Sequence, residues 1–267
     1  MTRAELIRQI RLKKSFLCIG LDTDISKIPA FLLKEADPVF EFNKAIIEAT
    51  RDFCVAYKPN IAFYESLGSS GWDSLQKTLE VIPPTHFTIA DAKRGDIGNT
   101  ATLYAKTFFK TYNFDSVTVA PYMGRDSIEP FLNVAGKWAI VLGLTSNPGA
   151  ADFEDKTLLS GNKLYEEVIS TTARWGSPEN LMFVAGATQA SQLSALRSLV
   201  PDHFLLIPGI GAQGGNLEEV IRATLTPEIG ILVNASRSII YASAETDFAE
   251  KASKEAQLLQ AEMANFI

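Results

Sequence analysis

Four charged side chains in this 267-residue chain have the types and spacing for acid–base chemistry. Asp91, Lys93 and Asp96 lie in the segment Asp91-Ala-Lys93-Arg-Gly-Asp96, and Lys58 lies in Tyr57-Lys58-Pro59. Side chains alternate between the faces of a strand, so Asp91 and Lys93 share one face and Ala92 takes the other. Gly95 permits a turn, after which Asp96 opens a loop. Two carboxylates near Lys93 favour its ammonium form, which suits it to act as an acid. Lys58 offsets the negative charge and orients one carboxylate. Singly, each residue reads as part of a structural ion pair at a strand end. As a set on one rim they read as a reaction centre.

A second grouping has the chemistry of an anion site. Ile207-Pro-Gly209-Ile-Gly211-Ala-Gln213-Gly214-Gly215 combines backbone N–H groups made accessible by glycine with the Gln213 amide. Asn234-Ala-Ser236-Arg237 adds a planar, permanently charged guanidinium. A glycine-rich turn by itself is only a tight connection. Its pairing with Arg237 on the next strand points to phosphate.

Short apolar runs must position these groups. They are Phe16–Leu21, Phe53–Tyr57, Phe87–Ala90, Ser116–Ala120, Trp138–Leu144, Leu181–Ala187, Phe204–Pro208 and Gly230–Val233. Their near-continuous hydrophobicity, bounded by Gly, Pro or polar residues, predicts buried parallel strands. Helical patterns fall between them at Asp73–Val81, Thr100–Tyr112 and Ser191–Val200, with a closing helix over Ala244–Ile267. Leu6, Ile7 and Ile10 mark one face of a short N-terminal helix. Alternating strands and helices give an α/β architecture, and eight strands favour a closed (β/α)₈ barrel, a single domain over residues 1–267. A doubly wound open sheet is the alternative, but no Gly-x-Gly-x-x-Gly follows the first strand. In a barrel all strand ends share the C-terminal rim, so charges distant in sequence converge.

Composition narrows the partners. The net charge of −6 argues against a nucleic-acid or anionic-membrane surface. No apolar run approaches a membrane span, and no secretory leader is expected at Met1. Cys18 and Cys54 sit in apolar runs without a C-x-x-C, as buried free thiols in a reducing cytoplasm. His86 and His203 stand at strand starts, away from the predicted rim, and no zinc-spaced ligand cluster appears. Asp152, Glu154 and Asp155 read as a solvated loop edge.

The decapeptide Asp91-Ala-Lys93-Arg-Gly-Asp96-Ile-Gly-Asn-Thr100 resembles the Asp-x-Lys-x-x-Asp signature of orotidine 5′-monophosphate decarboxylases. The resemblance runs from Gly20-Leu-Asp22 to Asn234-Ala-Ser236-Arg237, and Ala120-Pro-Tyr-Met-Gly124 makes it closest to the longer bacterial branch. It implies cofactor-free and metal-free conversion of orotidine 5′-monophosphate (OMP) to UMP and CO₂ in pyrimidine biosynthesis. Lys58, Asp91, Lys93 and Asp96 would form the catalytic tetrad, with Lys93 donating a proton to C6. Asp22 would bind ribose hydroxyls, Ser146 the pyrimidine, and Gln213 with Arg237 the phosphate. Asp96 and Thr100 would reach into a neighbouring subunit's site, which implies a homodimer with shared sites.

Two rivals remain. A Mg²⁺-dependent sugar-phosphate aldolase or decarboxylase of the same barrel suprafamily shares the Asp-x-Lys-x-x-Asp motif, but typically places a carboxylate where Lys58 stands. A non-catalytic phosphate-binding barrel would not require both lysines and both aspartates together.

Overall fold

Strands buried on both faces read as unbroken apolar runs, and in the computed structural model eight such runs are strands. Residues 1–186, 190–209 and 217–267 are described. The strands are β1 Leu17–Leu21, β2 Ala56–Pro59, β3 Phe87–Arg94, β4 Ser116–Val119, β5 Trp138–Leu144, β6 Leu181–Ala185, β7 Phe204–Pro208 and β8 Ile231–Ala235. They close in sequence order into a barrel, β1 to β8, and the registered pairs are parallel. The expected (β/α)₈ barrel is therefore the fold.

The helices are α1 Arg3–Lys13, α2 Pro38–Thr50, α3 Ile61–Glu65, α4 Ser69–Val81, α5 Gly98–Lys106, α6 Arg125–Leu132, α7 Leu164–Thr172, α8 Ala190–Leu199, α9 Leu217–Thr224, α10 Arg237–Ile240 and α11 Phe248–Met263. A π-helical turn, Thr107–Thr111, continues α5, and a 3₁₀ turn, Ala264–Phe266, ends the chain. Among the described residues, no helix is long and apolar enough to cross a membrane.

The chain divides into two compact units. In the first, residues 4–92 with 234–267, α2 begins with Pro38 at its first turn and the Asp37 carboxylate capping the Phe40 amide at 3.1 Å. Its inner face carries Asn43, fully buried. The Asn43 carbonyl accepts from Thr23 Oγ1 at 2.6 Å, and its amide donates to Tyr64 Oη and Thr78 Oγ1, each at 3.0 Å. Tyr64 Oη in turn donates to the Leu21 carbonyl at 3.1 Å. This satisfied polar chain fixes the end of β1, one residue before Asp22. Phe248 of α11 stacks on Phe42 of α2 at 5.3 Å.

In the second unit, residues 1–3 with 93–233, Trp138 of β5 packs edge-on against Phe204 of β7. Arg197 of α8 donates to the carbonyls of Thr224 (2.9 Å), Val200 (2.9 Å), His203 (2.6 Å) and Gly230 (2.7 Å). One guanidinium thereby ties the end of α9 to the residues that precede β7 and β8.

Two strand boundaries differ from expectation where charge begins. Residues 51–53 form a turn, so β2 starts at Ala56 and holds Lys58 inside the strand. β3 runs past Ala90 to Arg94, so most of the charged segment is itself strand.

Candidate active site

β1, β2 and β3 bring three of the expected charges together. Lys58 Nζ donates to Asp91 Oδ2 at 2.9 Å and lies 3.8 Å from Asp22 Oδ1. Register explains the meeting: Gly20 pairs with Lys58 across β1 and β2, and Asn60 bridges to Asp91 across β2 and β3. Lys58 is 5% exposed. Burial by itself lowers its pKa, but the Asp91 carboxylate, followed by that of Asp22, outweighs burial and holds the ammonium above its ordinary value.

Ser236, which caps α10, reaches the same cluster. Its hydroxyl lies 2.9 Å from Asp22 Oδ2 and 3.0 Å from the Gly20 carbonyl, both acceptors. Gly20 must be glycine for this approach, because a Cβ there would sit 2.8 Å from the Ser236 Cβ. Tyr241 Oη donates to the Asp22 carbonyl at 2.8 Å and accepts from the Asp24 amide at 2.7 Å. Asp22 Oδ1 and Asn234 Oδ1 are nonetheless buried acceptors with no hydrogen-bond partner among the described residues. A buried acceptor of this kind can take a donor from outside the chain.

Lys93 follows two residues after Asp91 on β3, with an exposed side chain. Its backbone is left-handed, with φ 47°. For a residue with a Cβ that conformation costs roughly 1–2 kcal/mol, and it persists where surrounding contacts over-determine it. The left-handed backbone in this segment thus falls at Lys93, within β3, and not at Gly95. Gly95 instead permits a close approach, since a Cβ there would lie 3.1 Å from the Ala120 carbonyl after β4. Two contacts from that neighbourhood hold the segment. The Lys93 amide donates to Thr118 Oγ1 at 2.9 Å, and the Ala120 amide donates to the Arg94 carbonyl at 2.8 Å. The Arg94 guanidinium lies over the rings of Tyr104 and Phe108 at 5.4 and 5.5 Å.

The remaining expected residues occupy strand-end loops or helix starts. Asp96 follows β3, and its Oδ1 accepts from the Ile97 amide at 2.7 Å. Thr100 is exposed on the first turn of α5. Ser146 is half-buried after β5. Arg237 opens α10 and is exposed. Gln213, with Gly211, Gly214 and Gly215, lies outside the described residues.

Glu154 corrects one expectation. It is not a solvated loop edge: its Oε2 accepts from the Thr145 amide at 2.7 Å and its Oε1 from Thr145 Oγ1 at 2.9 Å. It therefore clamps the end of β5, beside Ser146. Neighbouring acids at 152 and 155 hide such a residue in a sequence, because all three look alike. Ser236 and Thr118 were also not singled out. Ser236 shares the strand period with Asn234, two positions earlier, which was the available signal; a buried threonine within a valine-rich strand gives none.

The histidines stand before β3 and β7, as expected, and both are buried. Burial pushes each imidazole pKa down to about 4. Cys18 and Cys54 are buried and free. Among the described residues no group of three His, Cys, Asp or Glu could hold a metal ion.

Comparison with known proteins matches residues 15–252 to the family described as orotidine 5′-phosphate decarboxylase / HUMPS. A relative from Christiangramia forsetii, named orotidine 5′-phosphate decarboxylase, is 57% identical over 99% of this chain and 98% of its own. One of the same name from Flavobacterium johnsoniae is 58% identical over 100% of this chain and 98% of its own. Among solved structures, OMP decarboxylase of Leishmania donovani superposes with a TM-score of 0.82 at 34% identity, covering 98% of this chain and 99% of that one.

Proposed function

The chain belongs to the orotidine 5′-phosphate decarboxylase / HUMPS family, and on that premise we propose that it converts OMP to UMP and CO₂ in pyrimidine biosynthesis. The observation that carries this reading is the Lys58–Asp91 pair at 2.9 Å, with Lys93 next on the same strand. Breaking the bond from C6 to the carboxylate leaves an electron pair on C6 as CO₂ departs. A pre-placed ammonium stabilises that charge. Lys93 then gives its proton to C6 and regains one from water. Asp91 faces the departing carboxylate, and their repulsion is relieved as CO₂ leaves. Lys58 orients Asp91 and offsets its charge. It also argues against the Mg²⁺-dependent relatives, since a cation fills the position where they carry a carboxylate. Turnover is accordingly expected to survive EDTA.

The binding roles follow the same reading. Asp22, whose Oδ1 has no hydrogen-bond partner among the described residues, takes ribose hydroxyls. Ser146 contacts the pyrimidine, and Gln213 with Arg237 holds the phosphate, whose remote binding energy is expressed in the transition state. Asp96 and Thr100 serve the neighbouring subunit's site in a homodimer. The apolar side chains exposed near that segment support an interface there, Ile97 at 57% and Tyr122 at 92%. Residues 1–267 make up one catalytic domain. A cytoplasmic location without nucleic-acid partners fits the net charge of −6 and the two buried free thiols.

Loss of orotidylate absorbance on adding the purified protein is the direct test. Lys93→Ala is expected to abolish that loss while the protein melts as wild type does. Near wild-type turnover by Lys93→Ala would remove Lys93 as the proton donor.

A further inference from the structure

A lysine in left-handed backbone is held there by something, and here the acceptor is identifiable. The Lys93 amide is taken at 2.9 Å by a side-chain oxygen, Thr118 Oγ1. Thr118 is 1% exposed, in a strand whose neighbours Val117 and Val119 are fully buried. An apolar β-branched residue would fill such a position equally well, whereas a buried hydroxyl requires hydrogen-bond partners. Threonine is stiff at χ1, so its oxygen is a fixed acceptor. The strand beneath it is itself fixed by register, with Val117, Thr118 and Val119 paired to Ala139, Ile140 and Val141 of β5. The residue after Lys93 is restrained independently, through the Ala120 amide on the Arg94 carbonyl and the Arg94 guanidinium over two rings. The Thr118 hydroxyl then restrains the peptide that leads into Lys93.

We propose that Thr118 is a positioning residue, whose hydroxyl holds the left-handed backbone at Lys93 and so aims the ammonium. This rests on the reading of Lys93 as the proton donor. Thr118→Val keeps the shape and removes the acceptor, and Thr118→Ser keeps the acceptor. Misplacing a reacting group without removing it is expected to lower kcat of Thr118→Val roughly ten- to hundredfold. UMP affinity should stay within about threefold, because the phosphate and ribose contacts are untouched. Thr118→Ser should recover most of kcat.

Turnover by Thr118→Val close to wild type would overturn the proposal. So would parallel losses of kcat, UMP affinity and melting temperature that serine does not rescue, since those describe a merely structural threonine. If valine prevents folding, Thr118→Ala is compared with Thr118→Ser in the same way; a chain that folds with neither valine nor alanine also overturns it. Full activity in Lys93→Ala is a different result, and it removes the proton-donor reading itself.

Discussion

Lys58 and Arg237 are both cations, and their surroundings assign them different work. Lys58 is 5% exposed and committed to Asp91 and Asp22, so its charge organises carboxylates. Arg237 is exposed at the start of α10, which leaves its planar fork open to an incoming anion. If that anion is the 5′-phosphate, Arg237→Ala should weaken UMP by roughly ten- to hundredfold, the range of a charge-assisted hydrogen bond. Uridine lacks the phosphate and should bind nearly as before. Calorimetric titration of both ligands decides it, because equal losses would take Arg237 out of the phosphate site. Lys58 and Asp91 are legible in the sequence as charges at the ends of apolar runs, whereas the part given to Asp22 rests on the family resemblance. The left-handed backbone at Lys93 is not legible, since glycine is the residue expected in that conformation and Gly95 stands two positions on. The contact with Thr118 that accompanies it is a tertiary one.

Trp138–Leu144 and Phe204–Pro208 were readable residue for residue, because each is a run buried on both faces with polar residues or a turn on either side. The sequence predicts too short a β3, since hydrophobicity stops at Ala90 while the strand continues to Arg94. The patterns of α2, α6 and α7 were not singled out, and Pro130 inside α6 is a residue that usually argues against a helix. Contacts between elements were less legible still. Lys13, last in α1, donates to the carbonyls of Arg51 and Cys54 at 2.7 and 2.9 Å and meets His86 Nε2 at 2.6 Å, just before β3. His86 Nε2 also lies 2.8 Å from the Arg51 carbonyl, so the ring is buried against the Lys13 ammonium. Burial, with Lys13 beside it, lowers the His86 pKa from 6.5 to about 4. The unfolded chain therefore takes up this proton first on acidification. The contribution is complete above about pH 6.5 and is lost as pH falls through about 4, on the order of 2–3 kcal/mol. His86→Gln offers Lys13 an acceptor without titrating. Urea midpoints between pH 7 and 4 should fall less steeply for this variant than for wild type; parallel curves would clear His86 of the effect.

At the scale of the whole molecule, the reading that reaches furthest beyond one chain is that Asp96 and Thr100 act in a neighbour's site. Only the family resemblance implies it, because neither periodicity nor charge can say which copy a loop serves. The structure adds an apolar surface beside the loop, with Ile97 and Tyr122 exposed and Met123 near Gly95. Covering such side chains with a second copy removes them from water, and a two-fold axis would deliver each Asp96 to the opposite site. The two catalytic substitutions then separate by chain. A Lys93→Ala protomer lacks its own acid but still lends Asp96, whereas an Asp96→Ala protomer keeps Lys93 and lacks only what it lends. In a mixed dimer one site therefore carries both defects and the other carries neither. Random exchange makes half of the dimers mixed, so two inactive proteins combined in equal amounts should recover about a quarter of wild-type turnover. Sedimentation should show dimers throughout. If each chain instead uses its own Asp96, every site in the mixture stays defective and no activity returns, which makes the regained fraction a direct reading of whose aspartate each site employs.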